Sequence, residues 1–148
     1  MQEILMGCAG ALGGSVGVAY LLNAPLRTVI PSSLTALLGY VVFALLHKAG
    51  GQSLIFGYFA ATLAVSIVCE TLARTMRMPS TIFLLIALVP LVPGYDFYCM
   101  MLAIAENNGA AAASFGLQAL QTVAAIAVGA AVTSVAFRSL MNRRVLKG

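Results

Sequence analysis

Charge is what this sequence has least of. Of 148 residues only 8% are charged, four acids against eight Lys and Arg, with a single His and no Trp. A soluble domain carries about 25% charged residues, so this chain cannot cover a water-facing surface. No basic segment precedes the first apolar run, and the opening MQEILMG carries Glu3. That is not the pattern of a cleaved signal peptide and predicts a retained first helix. The three cysteines, Cys8, Cys69 and Cys99, lie far apart inside apolar runs. They match no metal or redox spacing and read as small buried side chains. His47 is the lone His, with no Ser/His or His/acid pair at recognisable spacing, so nothing points to an enzyme or to a cofactor.

What the chain has in abundance is apolar length. It is 61% hydrophobic, with mean hydropathy +1.02. A bilayer core needs about 20 predominantly apolar residues per helix, and five runs qualify or nearly so. The first is Ile4 to Leu22, stopping at Asn23-Ala24-Pro25, where proline and the residue before it disfavour helix. The second runs from about Pro31, which suits a first turn, to His47, with Gly50-Gly51 as a short turn. The third runs from Leu54 to Arg74, and the fourth from Thr81 to Ala105, ended by Glu106-Asn107-Asn108-Gly109. The fifth runs from Phe115 to Phe137, followed by a basic tail, Arg138 to Lys147. The expected fold is an all-α integral membrane protein, a single transmembrane domain over residues 1–148, with about five spans.

Five spans place the two ends on opposite sides. With the N-terminus outside and the C-terminus cytoplasmic, the inner side holds Arg27, Arg74, Arg77, Arg138, Arg143, Arg144 and Lys147, and the outer side only Lys48. That agrees with the inward bias of Lys and Arg. The basic tail is then a topology anchor and needs no nucleic-acid partner.

Helix faces carry the next signals. In the first run Gly7, Gly10, Gly13, Gly14 and Gly17 leave one face almost bare, and Ala127, Ala131 and Ser134 make a similar face in the fifth. Such faces let helices approach closely in lipid, which implies a compact bundle or an oligomer. The third run carries Tyr58, Thr62, Ser66, Glu70 and Arg74 at four-residue steps, a single polar stripe. It should face protein or water. One reading is interhelical hydrogen bonding with a Glu70–Arg74 pair near the inner interface. The other is the wall of a solute path, which Gln118, Gln121 and Thr122 would continue near the outer side.

The sharpest signal is LVPLVPGYDF, Leu88 to Phe97, inside the fourth run. Residues 81 to 105 would span about 37 Å as one helix, with Pro93 at the midpoint. Pro90 and Pro93 lack N–H groups, so the carbonyls of Ile86 and Val89 lose their helical donors, and Gly94 permits conformations other residues avoid. Two half-helices are expected to meet at Pro90 to Gly94, the second presenting free N–H groups and a partly positive end. Irregular backbone at membrane depth survives only when buried in protein or lining a cavity, and many transporters bind substrate at such breaks. A proline kink satisfied by its neighbours is the plainer reading. Asp96 costs roughly 2.5–3.5 kcal/mol to insert near the bilayer centre. It has three candidate roles: capping the second half-helix, meeting a substrate ammonium group, or carrying a proton. Tyr95 and Tyr98 can add hydroxyls.

These residues carry a resemblance. LNAPLR (Leu22 to Arg27), LLGY in the second run, and above all VPLVPG (Val89 to Gly94) resemble the threonine/serine exporter family, on its small-subunit side, over nearly the whole chain. Asn23, Pro25 and Arg27, with Pro90, Pro93 and Gly94, carry over as motif positions; Asp96 departs from the family pattern. The resemblance implies proton-motive-force-driven export of threonine, serine or related small carboxylates such as dicarboxylates, across a bacterial cytoplasmic membrane. It also implies a larger partner subunit, with which this chain would form an inverted pair. The alternatives of other classes are a non-transporting membrane scaffold and a homo-oligomeric channel.

Overall fold

In the computed structural model the backbone is described for residues 2–49 and 53–145, and the side chains for 6–47 and 53–139. The Gly50-Gly51 turn and the side chains of Glu3, Lys48, Arg143, Arg144 and Lys147 lie outside the described residues. Within them every element is helical: α1 (Gln2–Leu21), α2 (Leu26–Ala49), α3 (Leu54–Met76), α4 (Ser80–Leu88), one 3-10 turn (Val89–Leu91), α5 (Gly94–Ala105) and α6 (Gly109–Val145). Three helices are long and apolar enough to cross a membrane: Leu26–His47, Leu54–Met76 and Gly109–Ser139. The pair α4 and α5, bent by 57° at the break, makes a fourth candidate, and Met6–Leu21 of α1 is a shorter apolar helix.

The helix ends follow from single residues. Asn23 takes the left-handed conformation (φ 51°), and the Ala24 N–H reaches back to the Ala19 carbonyl at 3.0 Å, closing α1 with a Schellman turn. The Pro25 carbonyl then accepts both the N–H and the hydroxyl of Thr28, each at 2.7 Å, and so starts α2. The same left-handed closure recurs at Arg77 and Asn107.

Two boundaries differ from expectation. α2 begins at Leu26, with Pro31 inside it. The reason is a face of small and hydroxyl side chains, Thr28, Ser32, Thr35 and Ala36, that is buried in the bundle and carries the helix through the proline. α6 begins at Gly109 rather than near Phe115, because Asn108 caps it: its side-chain oxygen accepts the Ala111 N–H at 3.2 Å and its carbonyl the Ala112 N–H at 3.0 Å.

α3 is the central helix, packed against α2, α4 and α6. Its residues Ala61, Val65 and Cys69 form the core with Phe83, Ala87 and Leu91. α4 is held by α1, α2 and α3, whereas α5 leans on α6 and makes no other substantial helix contact.

Candidate site at the broken helix

The break uses its remaining backbone donors in order. Pro93 cannot supply the N–H that a helix would aim at the Val89 carbonyl, and the Val92 N–H takes that place at 3.2 Å. Pro93 itself sits at φ −76°, ψ 60°, and the Gly94 N–H bonds the Val92 carbonyl at 2.8 Å. This is an inverse γ-turn. The Pro93 carbonyl then accepts the Phe97 N–H at 3.2 Å and opens α5. Two early N–H groups, those of Tyr95 and Asp96, lie in the first turn where no helical acceptor exists. They form the positive end of a half-helix.

One side of the break is sealed. Leu91 is 1% exposed and Pro93 is buried. A Cβ at Gly39 would meet Val65 Cγ2 at 2.5 Å and Leu91 Cδ1 at 3.6 Å, and one at Gly14 would meet Val89 Cγ1 at 3.8 Å. Gly39, the glycine of LLGY, is therefore what lets α2, α3 and the 3-10 turn close on one another. These contacts fall near the middles of α1, α2 and α3. The other side is open: Val92 is 55% and Tyr95 74% exposed.

Gly94 adopts no left-handed conformation, and a Cβ there would meet nothing within 4 Å. The freedom expected of this glycine is not used by the backbone. Nor does Asp96 cap α5. The helix starts at Gly94, which puts Asp96 at its third residue, and no side-chain cap bond forms. Its position still favours a negative charge beside the helix N-terminus.

Asp96 is half-buried and shares a face of α5 with Met100 and Ala103. That face packs on α6, where the Met100 sulfur lies 3.0 Å from a Cβ placed on Gly116. Thr122 lies on α6 between its contact with α5 (Gly116) and its contact with α3 (Gly129). It is fully buried and its hydroxyl has no partner. Tyr95 and Tyr98, by contrast, sit on the exposed side of α5.

The α3 stripe faces protein. The Tyr58 ring lies 4.3 Å from that of Phe43 of α2. Thr62 donates to the Tyr58 carbonyl at 2.8 Å and meets α6 at Gly129, whose Cβ would stand 3.1 Å from that of Thr62. Ser66 is 1% exposed and its hydroxyl is unpartnered. Arg74 stands 3.9 Å from Glu70 and 4.9 Å over the Phe137 ring of α6. Gln118 is exposed, and Gln121 lines an open groove of about 560 Å³ between α3 and α6 with Ile55, Phe56 and Phe59. Only Thr122 of that trio points into the bundle. Sequence reasoning missed Ser32 and Ser33, buried on α2 with unpartnered hydroxyls; starting the helix at Pro31 hid the face they share.

A family model described as Threonine/Serine exporter, ThrE, matches residues 8–136. No match is found among curated proteins or among solved structures. The matched stretch contains the Asn23 turn, the Gly39 contact and the whole break, and the family is one of transporters rather than enzymes. The chain belongs to the threonine/serine exporter family.

Proposed function

We propose that this chain is one membrane half of an exporter of threonine, serine or related small carboxylates, driven by the proton motive force and completed by a larger partner subunit. The observation that carries the reading is the break. It joins two half-helices level with the middles of α1, α2 and α3, and it leaves the Tyr95 and Asp96 N–H groups at a positive helix end. Two N–H donors at a helix N-terminus suit a carboxylate, the group that amino acids and dicarboxylates share. The substrate site in this reading comprises Pro90, Pro93, Gly94, Tyr95, Asp96 and Tyr98, with Thr62 and Ser66 of the α3 stripe.

With α1 counted, the chain crosses a bacterial cytoplasmic membrane five times, N-terminus outside, and the seven-to-one placement of basic residues supports that orientation. The partner is supported by what this chain leaves uncovered. Val92 and Gly94, at the irregular turn, are exposed residues, and irregular backbone is not tolerated against lipid. A Cβ at Gly10, Gly13 or Gly17 of α1 would also meet nothing within 4 Å, so that bare face is free for close approach by the partner's helices.

The test is release of labelled threonine, serine or succinate from proteoliposomes under an imposed pH gradient, with this chain alone and then with its large subunit. Release that needs both chains is the expected result. Release by the chain alone makes it a homo-oligomeric transporter. Silence from the complete pair favours a scaffold, and conductance without proton coupling favours a channel.

A further inference from the structure

Among the motif positions, Asn23 and Pro25 make the turn between α1 and α2, and Pro90, Pro93 and Gly94 make the break. Arg27 does neither. It is exposed at the second residue of α2, and among the described residues it has no ion pair. Of the acids with described side chains, Glu70 is beside Arg74, Asp96 is at the break and Glu106 follows α5.

Positions 27, 31, 34 and 38 fall within about 60° of one another around the axis of α2, so Arg27, Pro31, Leu34 and Leu38 share one face. That face borders an open groove of about 230 Å³ between α2 and α3. Pro31, Leu34, Thr35 and Leu38 line one wall, and Val68 and Leu72 the other. The groove is apolar, because the Thr35 hydroxyl donates to the Pro31 carbonyl at 2.7 Å. Leu34 is 58% and Leu38 40% exposed. Val68 and Leu72 lie roughly opposite Glu70 around α3, so the Glu70–Arg74 pair is not at the groove.

Depth orders these parts. Gly39 meets Val65 near the middles of α2 and α3, and the groove runs from there toward Arg27. Gly39 to Arg27 covers about 18 Å at the helical rise, and half of a bilayer's hydrocarbon core is about 15 Å. Arg27 therefore stands at phosphate depth and the groove at acyl-chain depth. The groove is also smaller than one turn of a helix about 10 Å wide, which fills about 420 Å³. An unpaired cation above an uncharged trough complements a molecule that is anionic at one end and apolar along its length.

We propose that this groove holds an acyl chain of an anionic phospholipid whose phosphate pairs with the Arg27 guanidinium. In the orientation given above, the lipid belongs to the cytoplasmic leaflet. The site involves no transported substrate and stands apart from the exporter reading.

The chain has no Trp, so Leu38→Trp places a single fluorophore at the mid-membrane end of the groove. The purified full chain is reconstituted in bilayers where either phosphatidylglycerol or phosphatidylcholine carries brominated, quenching acyl chains. At equal mole fraction the expected preference for phosphatidylglycerol is about fivefold, the effect of one Arg beside an anionic surface. Leu120→Trp, on the exposed face of α6, should show no preference. Arg27→Gln should remove the preference at position 38. Salt at about 1 M should do the same with Arg27 in place, which keeps the test decisive where the Gln variant fails to fold. Equal quenching by the two lipids, or a preference that survives both Arg27→Gln and high salt, overturns the proposal. No quenching by either lipid means that protein covers the groove, and overturns it too. Inorganic phosphate should leave the preference intact. If it erases the preference at an ionic strength where chloride does not, Arg27 holds a free anion and the lipid assignment falls.

Discussion

Glu70 and Asp96 are both acids on apolar helices, yet the molecule treats them differently. Glu70 sits one turn from Arg74, which in turn lies over Phe137, so its charge is answered and the trio ties α3 to α6. Asp96 sits at the first turn of α5, answered by a helix end and no described cation. The lesson is that an acid in a membrane helix is read by its company. A paired one is explained by assembly, and an unpaired one calls for a functional explanation.

The comparison breaks most sharply on export itself. Asp96→Asn should lower proton-driven export by more than tenfold, whereas Glu70→Gln should keep most of it; transport assays of the two side by side decide, and equal losses would erase the distinction. The seal behind the break comes next. Gly39→Val should overpack Val65 and Leu91, destabilise the protein by about 1–3 kcal/mol and reduce export. Thermal unfolding in detergent measures the first effect, and a Gly39→Val protein as stable as wild type would mean that the sealed side is loose. A smaller effect is expected at Arg74. Arg74→Ala removes the ion pair and the ring contact, worth about 0.5–1 kcal/mol together at so exposed a side chain. A double-mutant cycle with Phe137→Leu isolates the ring contact, and zero coupling would remove it from the account. Smallest of all is Gly94→Ala: with open space around the Cβ position and a helical backbone, stability should change by less than about 0.5 kcal/mol. A large loss of stability there would mean that another chain presses on the break.

The sequence made the break legible because prolines remove donors wherever they stand, and Pro90 and Pro93 fall where a span can least lose them. The Asn23 turn was legible for a similar reason: Pro25 and the residue before it end a helix locally. Pro31 misled, since a proline reads as a first turn unless the face around it is buried, and burial of Thr28 and Ser32 is a tertiary fact. The start of α6 was hidden in Asn108, whose capping role depends on which neighbouring residue takes the left-handed turn; Asn107 takes it. Asp96 moved from cap to first-turn residue because the γ-turn at Pro93 begins α5 earlier than composition implies. The α3 stripe was visible as a stripe, but only packing distinguishes Thr62, fitted against Gly129, from Ser66, whose hydroxyl has no partner.

The 57° bend between α4 and α5 is also a lever. α4 is clamped by three helices and α5 is carried by one, so the pivot at Pro93 has a fixed side and a free arm. That arm is about 18 Å long at the helical rise, and each roughly ten degrees of rotation at the pivot sweeps its tip, Ala105, through about 3 Å. Displacement is largest at the tip and smallest at Asp96, beside the fulcrum: the end of α5 can shift by the width of a side chain while the carboxylate hardly leaves its place.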